Sequence, residues 1–532
     1  MARFLYSPTT YIVLAAALLV GHALFYAGLM DFDAVDDAYI SFRYARNAAR
    51  GHGLTFNTGE RRVEGYTNFL WTVMLIPCFW LKLPPHTASL VLGTLWALGC
   101  LILLWRFGRQ TDGLEWAAIL AALFLAADGS FALWAVGGLE SSLFAFLVLG
   151  GGLAYLREMH DPSAAPLSGA WFALSAMARP EGLLVYCLTG VHQVATRLIR
   201  QRKLATAQDW QRLGLFAAIW VPWFAFRWRY YGFPLPNTFY AKVTLGDSSA
   251  QRQRGLAYVG TFARIHGGYV PLVAALLPLL RRRWRVWSSY FVLLVVAYSA
   301  YIGYVGGDWS VGRFFVPLLP MFYLLLAGGL GIAWGVAVSL VPRLHTDPES
   351  GGRKTGQTRE RAFLDMPTTP TSPPVLARAL AGIIIVGLLI GLWVQSSWYG
   401  EKALFLDPFD ARLVGCARTV MGKWLHENVS PDTYIAVDAA GQMPFYADLK
   451  ALDLYGLNDL NIAHRQVENM GKGTPGHEKM DMDYVIFEAQ PDYIIIYGTA
   501  FDWLSAFSYK RVDLPWTDDP QLKAFLGAYE RQ

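Results

Sequence analysis

The sequence predicts a polytopic α-helical membrane protein with about eleven spans and a small C-terminal α/β domain outside the membrane. Three observations predict it. Apolar runs of roughly bilayer length recur from Tyr11 to Val394. Apolar residues make up 54% of the chain and charged residues only 16%, too few to coat a soluble protein of 532 residues. Beyond Val394 the runs stop, and short strand-like and helix-like segments replace them.

The apolar segments fall at 11–30, 67–83, 88–105, 115–127, 139–157, 166–178, 183–199, 213–231, 269–280, 286–304, 314–341 and 378–398. The first follows a single early arginine, Arg3, and has no A-x-A cleavage site, so it reads as a retained span and not a cleaved signal. Basic residues gather in short loops: Arg106 and Arg109, Arg157, Arg197 to Lys203, Arg281 to Arg285, and Arg343 to Arg361. The positive-inside rule puts all five in the cytoplasm. That parity holds only if 67–83 lies along the interface or re-enters, which leaves about eleven crossings. The loops 31–66, 128–138, 179–182, 232–268 and 305–313, and everything after Val394, then share the outer side.

Residues 343–374 are rich in Pro, Thr, Gly and Arg and read as a flexible cytoplasmic linker within a membrane domain of 1–398. In the outer domain, 399–532, the stretch 410–428 has helical periodicity. The segments 433–441 and 492–499 read as buried strands followed by turns.

Composition also excludes classes. A net charge of +5, spread over inter-helix loops, fits topology and not nucleic-acid binding. Cys78, Cys100 and Cys187 lie in apolar runs and Cys416 stands alone; no C-x-x-C spacing marks a metal site, and no disulfide framework is implied.

The chemistry concentrates in the first outer loop. Asp36 and Asp37 sit beside a hydrocarbon boundary, where charge is costly and a functional reading is the default. Adjacent carboxylates there suit a general base, a metal ligand or an ion pathway. Either can cap a helix from about Ala38 to Arg50, stopped by Gly51 and Gly53. Its dipole favours an ionised carboxylate, while the neighbouring acid opposes ionising both, so one Asp is expected to act and the other to orient it. Arg43, Arg46 and Arg50 share one face of that helix, as on a surface helix presenting arginines to headgroups or an anionic ligand. Glu64, Tyr66 and Asn68 follow, offering hydrogen bonds and a ring as a sugar site needs, or else a turn and an interfacial aromatic belt. Glu140, Arg179, Glu181, Lys242, Asp308 and Arg313 fall on the same side of the membrane.

These segments together resemble a known family. The runs Asp36 to Ala45, Gly51 to Leu54, Phe56-Asn57 and Val63 to Trp71 are similar to the polytopic GT-C glycosyltransferases related to the actinobacterial terminal β-(1→2) arabinofuranosyltransferase. So are Gly137 to Ser141, Ala178 to Gly182, Pro236 to Lys242, Gly306 to Trp309 and Arg313 to Pro317, in the same order over roughly the first 320 residues. The resemblance implies a GT-C fold with an extracytoplasmic C-terminal domain. It also implies a polyprenyl-phosphate-sugar donor, best known with D-arabinofuranose, and a catalytic base at Asp36 or Asp37.

The expected reaction is an inverting single displacement onto a glycan, glycolipid or protein acceptor, at the periplasmic face of a bacterial inner membrane. Arg43, Arg179, Lys242 and Arg313 are the candidates for the donor phosphate. Glu64, Tyr66, Asn68, Glu140, Tyr240 and Asp308 are the candidates for sugar or acceptor, with Trp134, Trp309 and Tyr304 as further stacking rings. Each has a plainer role: Arg43 snorkelling, Arg179 paired with Glu181, Lys242 marking the membrane boundary, Asp308 in a turn, Glu140 capping a helix. His52 and His266 read as structural or acceptor contacts. No cofactor is required, although oxygen ligands at the Asp pair would suit Mg, Mn or Ca. The competing readings are transfer of mannose or another lipid-linked sugar, and a lipid or sugar transporter, which would show repeat symmetry and mid-span charges.

Overall fold

The computed structural model describes residues 7–201, 204–243, 249–310, 312–340, 382–394, 408–467, 470–498 and 501–532. The predicted linker at 343–374 lies outside the described residues, as do both ends of the last predicted apolar segment.

The helical part runs α1 (Pro8–Leu29), α2 (Asp36–Ala49), α3 (Phe69–Trp80), α4 (Pro85–Gln110), α5 (Glu115–Ala127), α6 (Gly129–Val136), α7 (Ser141–His160), α8 (Ser168–Ala178), α9 (Glu181–Gln201) and α10 (Ala207–Tyr231). It continues with α11 (Asn237–Lys242), α12 (Ser249–Ile265), α13 (Tyr269–Ala274), α14 (Arg285–Val305), α15 (Leu319–Leu340) and α16 (Gly382–Val394). Apolar side chains such as Val13, Val91 and Ile199 point outward, as lipid-facing positions do. Small residues let the helices close on one another: a Cβ at Gly93 would collide with the backbone of Ala135 on α6, and one at Gly169 with the backbone of α10.

Among the described residues, six helices are long and apolar enough to cross a membrane, or up to eight if each of two bent pairs is one span. The expected count of about eleven is therefore not reached. Hydropathy counted α8, only 11 residues long, as a crossing, and of the last predicted segment only Gly382–Val394 is described. It also counted the 213–231 part of α10, which is not among those six helices; Asp209 of α10 pairs with Arg197 and Arg212, Arg212 with Glu158, and Arg227 with Glu64. The two bends, of 64° between α5 and α6 and 85° after α12, were not visible in an apolar average. Helix α3, at 12 residues, is about 18 Å long and too short for a hydrocarbon core of about 30 Å.

Past the membrane helices, α17 (Pro408–Asn428), β1 (Tyr434–Val437), α18 (Gln442–Ala447), β2 (Lys450–Asp453), α19 (Leu460–His464), β3 (Tyr493–Tyr497), β4 (Tyr509–Val512), α20 (Pro520–Phe525) and β5 (Leu526–Arg531) form the α/β part. The strand order is β2-β1-β3-β5-β4, with β1 parallel to β2 and β3, and β5 antiparallel to β3 and β4. The alternation in Tyr434–Val437 and Tyr493–Tyr497 packs Ile435, Val437 and Ile495 under α17, against Met421 and Leu425.

Helix α2 joins the two parts. Both aspartates occupy its first turn, and Val35 holds the N-cap position with no side-chain cap, so neither Asp is the predicted cap. Gly51 and Gly53 end the segment with φ of 88° and 80°, as expected for glycine stops. The arginine face does not look towards headgroups. Arg43 donates to the carbonyls of Phe56, Pro444 and Leu449; Arg46 donates to the Phe445 carbonyl and pairs with Asp448, which also binds Arg50. The face is a socket for the sheet domain.

Candidate active site

A cavity of about 720 Å³ opens between the loop at 29–37, the start of α2, and the sheet domain. Asp36 and Asp37 both line it, but they turn to different halves of the molecule.

Asp37 faces the helical part. Its carboxylate accepts from Arg313 Nη1 at 3.3 Å and from the Trp309 indole N–H at 3.4 Å, and its side chain is 33% exposed. Lys242, at the end of α11, lines the same wall. Burial acts to raise the Asp37 carboxyl, but Arg313, Lys242, His477 and the indole N–H outweigh it and hold it below the usual carboxylate range.

Asp36 faces the sheet domain. It accepts from the backbone N–H groups of Gly441 and Gln442 at 3.2 and 3.0 Å and lies 3.6 Å from Arg418 on α17. Its side chain is 17% exposed, and burial raises its carboxyl despite Arg418 and the Gln442 N–H. The two adjacent carboxylates thus have pKa values pushed in opposite directions. Sequence reasoning expected one Asp to act and the other to orient it without choosing between them.

Arg313 is held in turn. Asp308 pairs with it at 3.4 Å, and its guanidinium lies over the Trp134 ring at 5.3 Å. The turn that carries it is fixed by the Tyr258 hydroxyl, which donates to the Ser310 carbonyl and accepts from the Gly312 N–H. Burial would favour its neutral form, but Asp308, Asp37 and Glu140 keep it charged.

Of the predicted donor and sugar residues only Lys242 lines the cavity; Arg313 and Asp308 stand behind Asp37. Arg179 is buried in an ion pair with Glu140 at 2.8 Å and another with Glu181 at 2.8 Å, and Asn68 donates to the same Glu140. Glu64 is buried against Arg227 at 2.7 Å, and the Tyr66 hydroxyl meets that of Tyr231 at 3.0 Å. Arg43 spends its donors on carbonyl oxygens, so its predicted phosphate contact is replaced by a structural one. Tyr240 stacks on His464 with ring centres 4.2 Å apart, beside a shallow groove that Phe233 and Arg61 share. Trp134 is buried, Tyr304 is exposed, and only Trp309 of the predicted stacking rings reaches the cavity.

Residues without a sequence signal complete the walls. Arg418, Lys423 and Asp438 belong to the sheet domain and line the cavity, yet nothing in a helical stretch or a strand end marks them. Deeper in the helical part, Asp128 accepts from His266 at 2.8 Å and from the Tyr323 hydroxyl at 2.7 Å, at the bend between α5 and α6. This gives His266 the structural contact expected of it. Among the described residues, no group of three or more His, Cys, Asp or Glu side chains is placed to hold a metal ion.

Comparison with known proteins bears on this arrangement. The chain is 29% identical over 371 residues to the terminal β-(1→2)-arabinofuranosyltransferase of Mycobacterium tuberculosis, covering 60% of this chain and 54% of that relative. The match therefore spans about half the relative's length. The structure resembles ArnT from Cupriavidus metallidurans bound to undecaprenyl phosphate, with a TM-score of 0.62, 14% identity and 98% of each chain covered. The apo state of the same protein gives 0.59 at 16% identity, again with 98% of each chain covered. Residues 411–530 match a family model described as a domain of unknown function, DUF8728. The fold is the GT-C fold, with a multi-pass helical part and a C-terminal α/β part.

Proposed function

We propose that the protein is an inverting glycosyltransferase that moves a sugar from a polyprenyl-phosphate donor to a hydroxyl of a glycan, glycolipid or protein. The observation that carries this is Asp37: a carboxylate kept ionised by Arg313 and Lys242, open to a cavity large enough for a sugar. The likeness to the arabinofuranosyltransferase supports D-arabinofuranose as the sugar. The likeness to a structure holding undecaprenyl phosphate supports a polyprenyl-phosphate carrier. Charge counting supports an outer-face, periplasmic location of cavity and sheet domain in a bacterial inner membrane.

In the proposed reaction Asp37 removes the acceptor hydroxyl proton as that oxygen attacks the anomeric carbon from the face opposite the lipid phosphate. The bond from that carbon to the phosphate oxygen breaks, and the phosphate leaves carrying one more negative charge. Lys242, exposed at the cavity edge, is placed to meet that charge, and Arg313 holds the base and adds to the local positive field. Asp36, pinned by two backbone N–H groups, orients the start of α2 and so the base beside it.

The deciding experiment is sugar transfer by the purified full-length protein in nanodiscs, with polyprenyl-phosphate-linked arabinofuranose and mannose offered separately. Turnover with the arabinose donor, lost in Asp37→Asn, is expected. Faster turnover with the mannose donor would replace the sugar assignment, and no turnover with any lipid-linked sugar would overturn the enzyme reading.

A further inference from the structure

A groove of about 500 Å³ lies apart from the cavity and shares no lining residue with it. Arg61 and Phe233 of the helical part face Leu460, His464, Arg465 and Asp481 of the sheet domain across it. Its positive charge is not compensated. Asp481, the one acidic side chain that lines it, pairs with Arg465 and accepts from the Tyr484 N–H. The acids nearest Arg61 in the chain are also occupied: Glu60 pairs with Lys450, and Glu64 with Arg227. Arg61 and its neighbour Arg62 are exposed and make no hydrogen bond or ion pair among the described residues. Their guanidiniums lie over the rings of Phe233 and Tyr230, at 5.5 and 4.2 Å. Those ring faces hold the cations without using a donor, so the N–H groups are left for a ligand. His464, stacked on Tyr240 at 4.2 Å, adds a ring whose nitrogens have no hydrogen-bond partner among the described residues. Forked N–H donors of this kind match a phosphate.

The surroundings of the groove decide what carries that phosphate. Phe233 follows the end of α10, whose last turns expose Phe226 and Trp228, and Leu235 and Phe239 just beyond are exposed too. Aromatic contacts tie this apolar collar to the cations. Phe226 meets Tyr230 at 5.4 Å, Phe239 meets Tyr240 at 5.8 Å, and Phe233 meets His464 at 5.0 Å. Exposed Trp and Phe beside cations are the pattern of the membrane–water boundary, where rings sit at headgroup level. A soluble phosphate would use the cations and leave the collar to water. A lipid uses both, with its phosphate at Arg61 and its acyl chains along the collar.

We infer that this groove binds the phosphodiester headgroup of an anionic glycerophospholipid, a lipid that is neither sugar donor nor acceptor. Seated on Arg61, Arg62 and His464, the headgroup bridges the helical part and the sheet domain and so steadies their contact. The site goes beyond the glycosyl-transfer reading and holds whether or not the cavity transfers sugar.

The test uses the full-length protein in phosphatidylcholine nanodiscs, with and without phosphatidylglycerol. Native mass spectrometry reads retained lipid, and amide exchange reads residues 460–465. The wild type is expected to retain phosphatidylglycerol in preference to phosphatidylcholine, and exchange at 460–465 should slow when it is present. Arg61→Gln combined with Arg62→Gln should weaken retention by about tenfold or more, the scale of a lost charge-assisted hydrogen bond, and abolish the slowing. Both positions are exposed, so melting of this variant in phosphatidylcholine alone should match the wild type. Lys510→Gln, at an exposed cation on β4, controls for general charge and should change neither readout. Inorganic phosphate added to phosphatidylcholine nanodiscs should not slow the exchange. The site would be overturned by no preference for phosphatidylglycerol, by equal retention in the double variant, or by an equal loss in Lys510→Gln. Slowing by inorganic phosphate as complete as that by the lipid would overturn the lipid as occupant.

Discussion

At the scale of single residues, the two aspartates are chemically identical and one position apart, and their surroundings separate them. A helix N-terminus favours both as anions. The cations of the helical part hold Asp37 ionised, while burial against the sheet domain raises Asp36. Asp37→Asn should therefore lower kcat by about 10²- to 10⁴-fold, the usual contribution of a general base. Asp36→Asn, which keeps an acceptor for the Gln442 N–H, should cost about tenfold or less. Equal losses in a transfer assay would sink the assignment of the base. The sign of the pH dependence follows from the same contacts. A base must be ionised to act, and Asp37 ionises below the ordinary aspartate value of about 3.9, so the acid limb of the rate should lie at or below that pH. Arg313→Gln removes the largest of the stabilising charges and should move that limb upward, read from kcat profiles of the two proteins. The acidic pair was legible in the sequence because adjacent carboxylates at a hydrocarbon edge are anomalous within a few residues. The division between them was not, because Arg418 and Gly441 lie about 400 positions away.

At the scale of elements, α2 shows how periodicity can be right and its meaning wrong. Arg43, Arg46 and Arg50 do share a face, but that face grips the outer domain and not headgroups. A stripe of arginines reads the same whether its partner is a phosphate or a row of carbonyl oxygens, and only the folded chain tells them apart. Arg43 is buried and also stacks over Phe56 at 4.5 Å, so Arg43→Met would take its donor from the Leu449 carbonyl and leave the Pro444 carbonyl with the Asp448 N–H alone. The expected cost is about 3 kcal/mol or more, seen as a lower melting temperature and faster proteolytic release of the sheet domain. Unchanged melting would mean that water or another side chain takes over those carbonyls. The span count differs at the same scale: six to eight spans among the described residues, against about eleven expected. Average hydropathy has no term for a bend such as the one at Asp128, nor for buried ion pairs such as Arg212 with Glu158 and Asp209.

At the scale of the whole molecule, the proposed chemistry depends on two bodies closing on one short helix, and a glycine at the seam makes that dependence testable. Gly441 gives its N–H to Asp36, and a Cβ there would fall well inside contact with the Asp36 carbonyl oxygen and carboxylate. A carbonyl oxygen in a helix cannot swing aside as a flexible side chain can. Gly441→Ala must therefore push the sheet domain away from the start of α2. The sheet keeps its own layer of Ile435, Val437 and Ile495 against Met421 and Leu425 of α17, so both parts should stay folded. Turnover should fall by about 10²-fold, the scale expected when reacting groups are misplaced by about 1 Å. Amide exchange should rise at residues 441–442 and at the start of α2 while the strands stay protected. Gly214→Ala, on α10 with open space around its Cβ, is the control and should change neither. If Gly441→Ala turned over at the wild-type rate with the same exchange pattern, closure of the sheet domain on the Asp pair would not be needed for catalysis. The helical part alone would then have to supply the whole site.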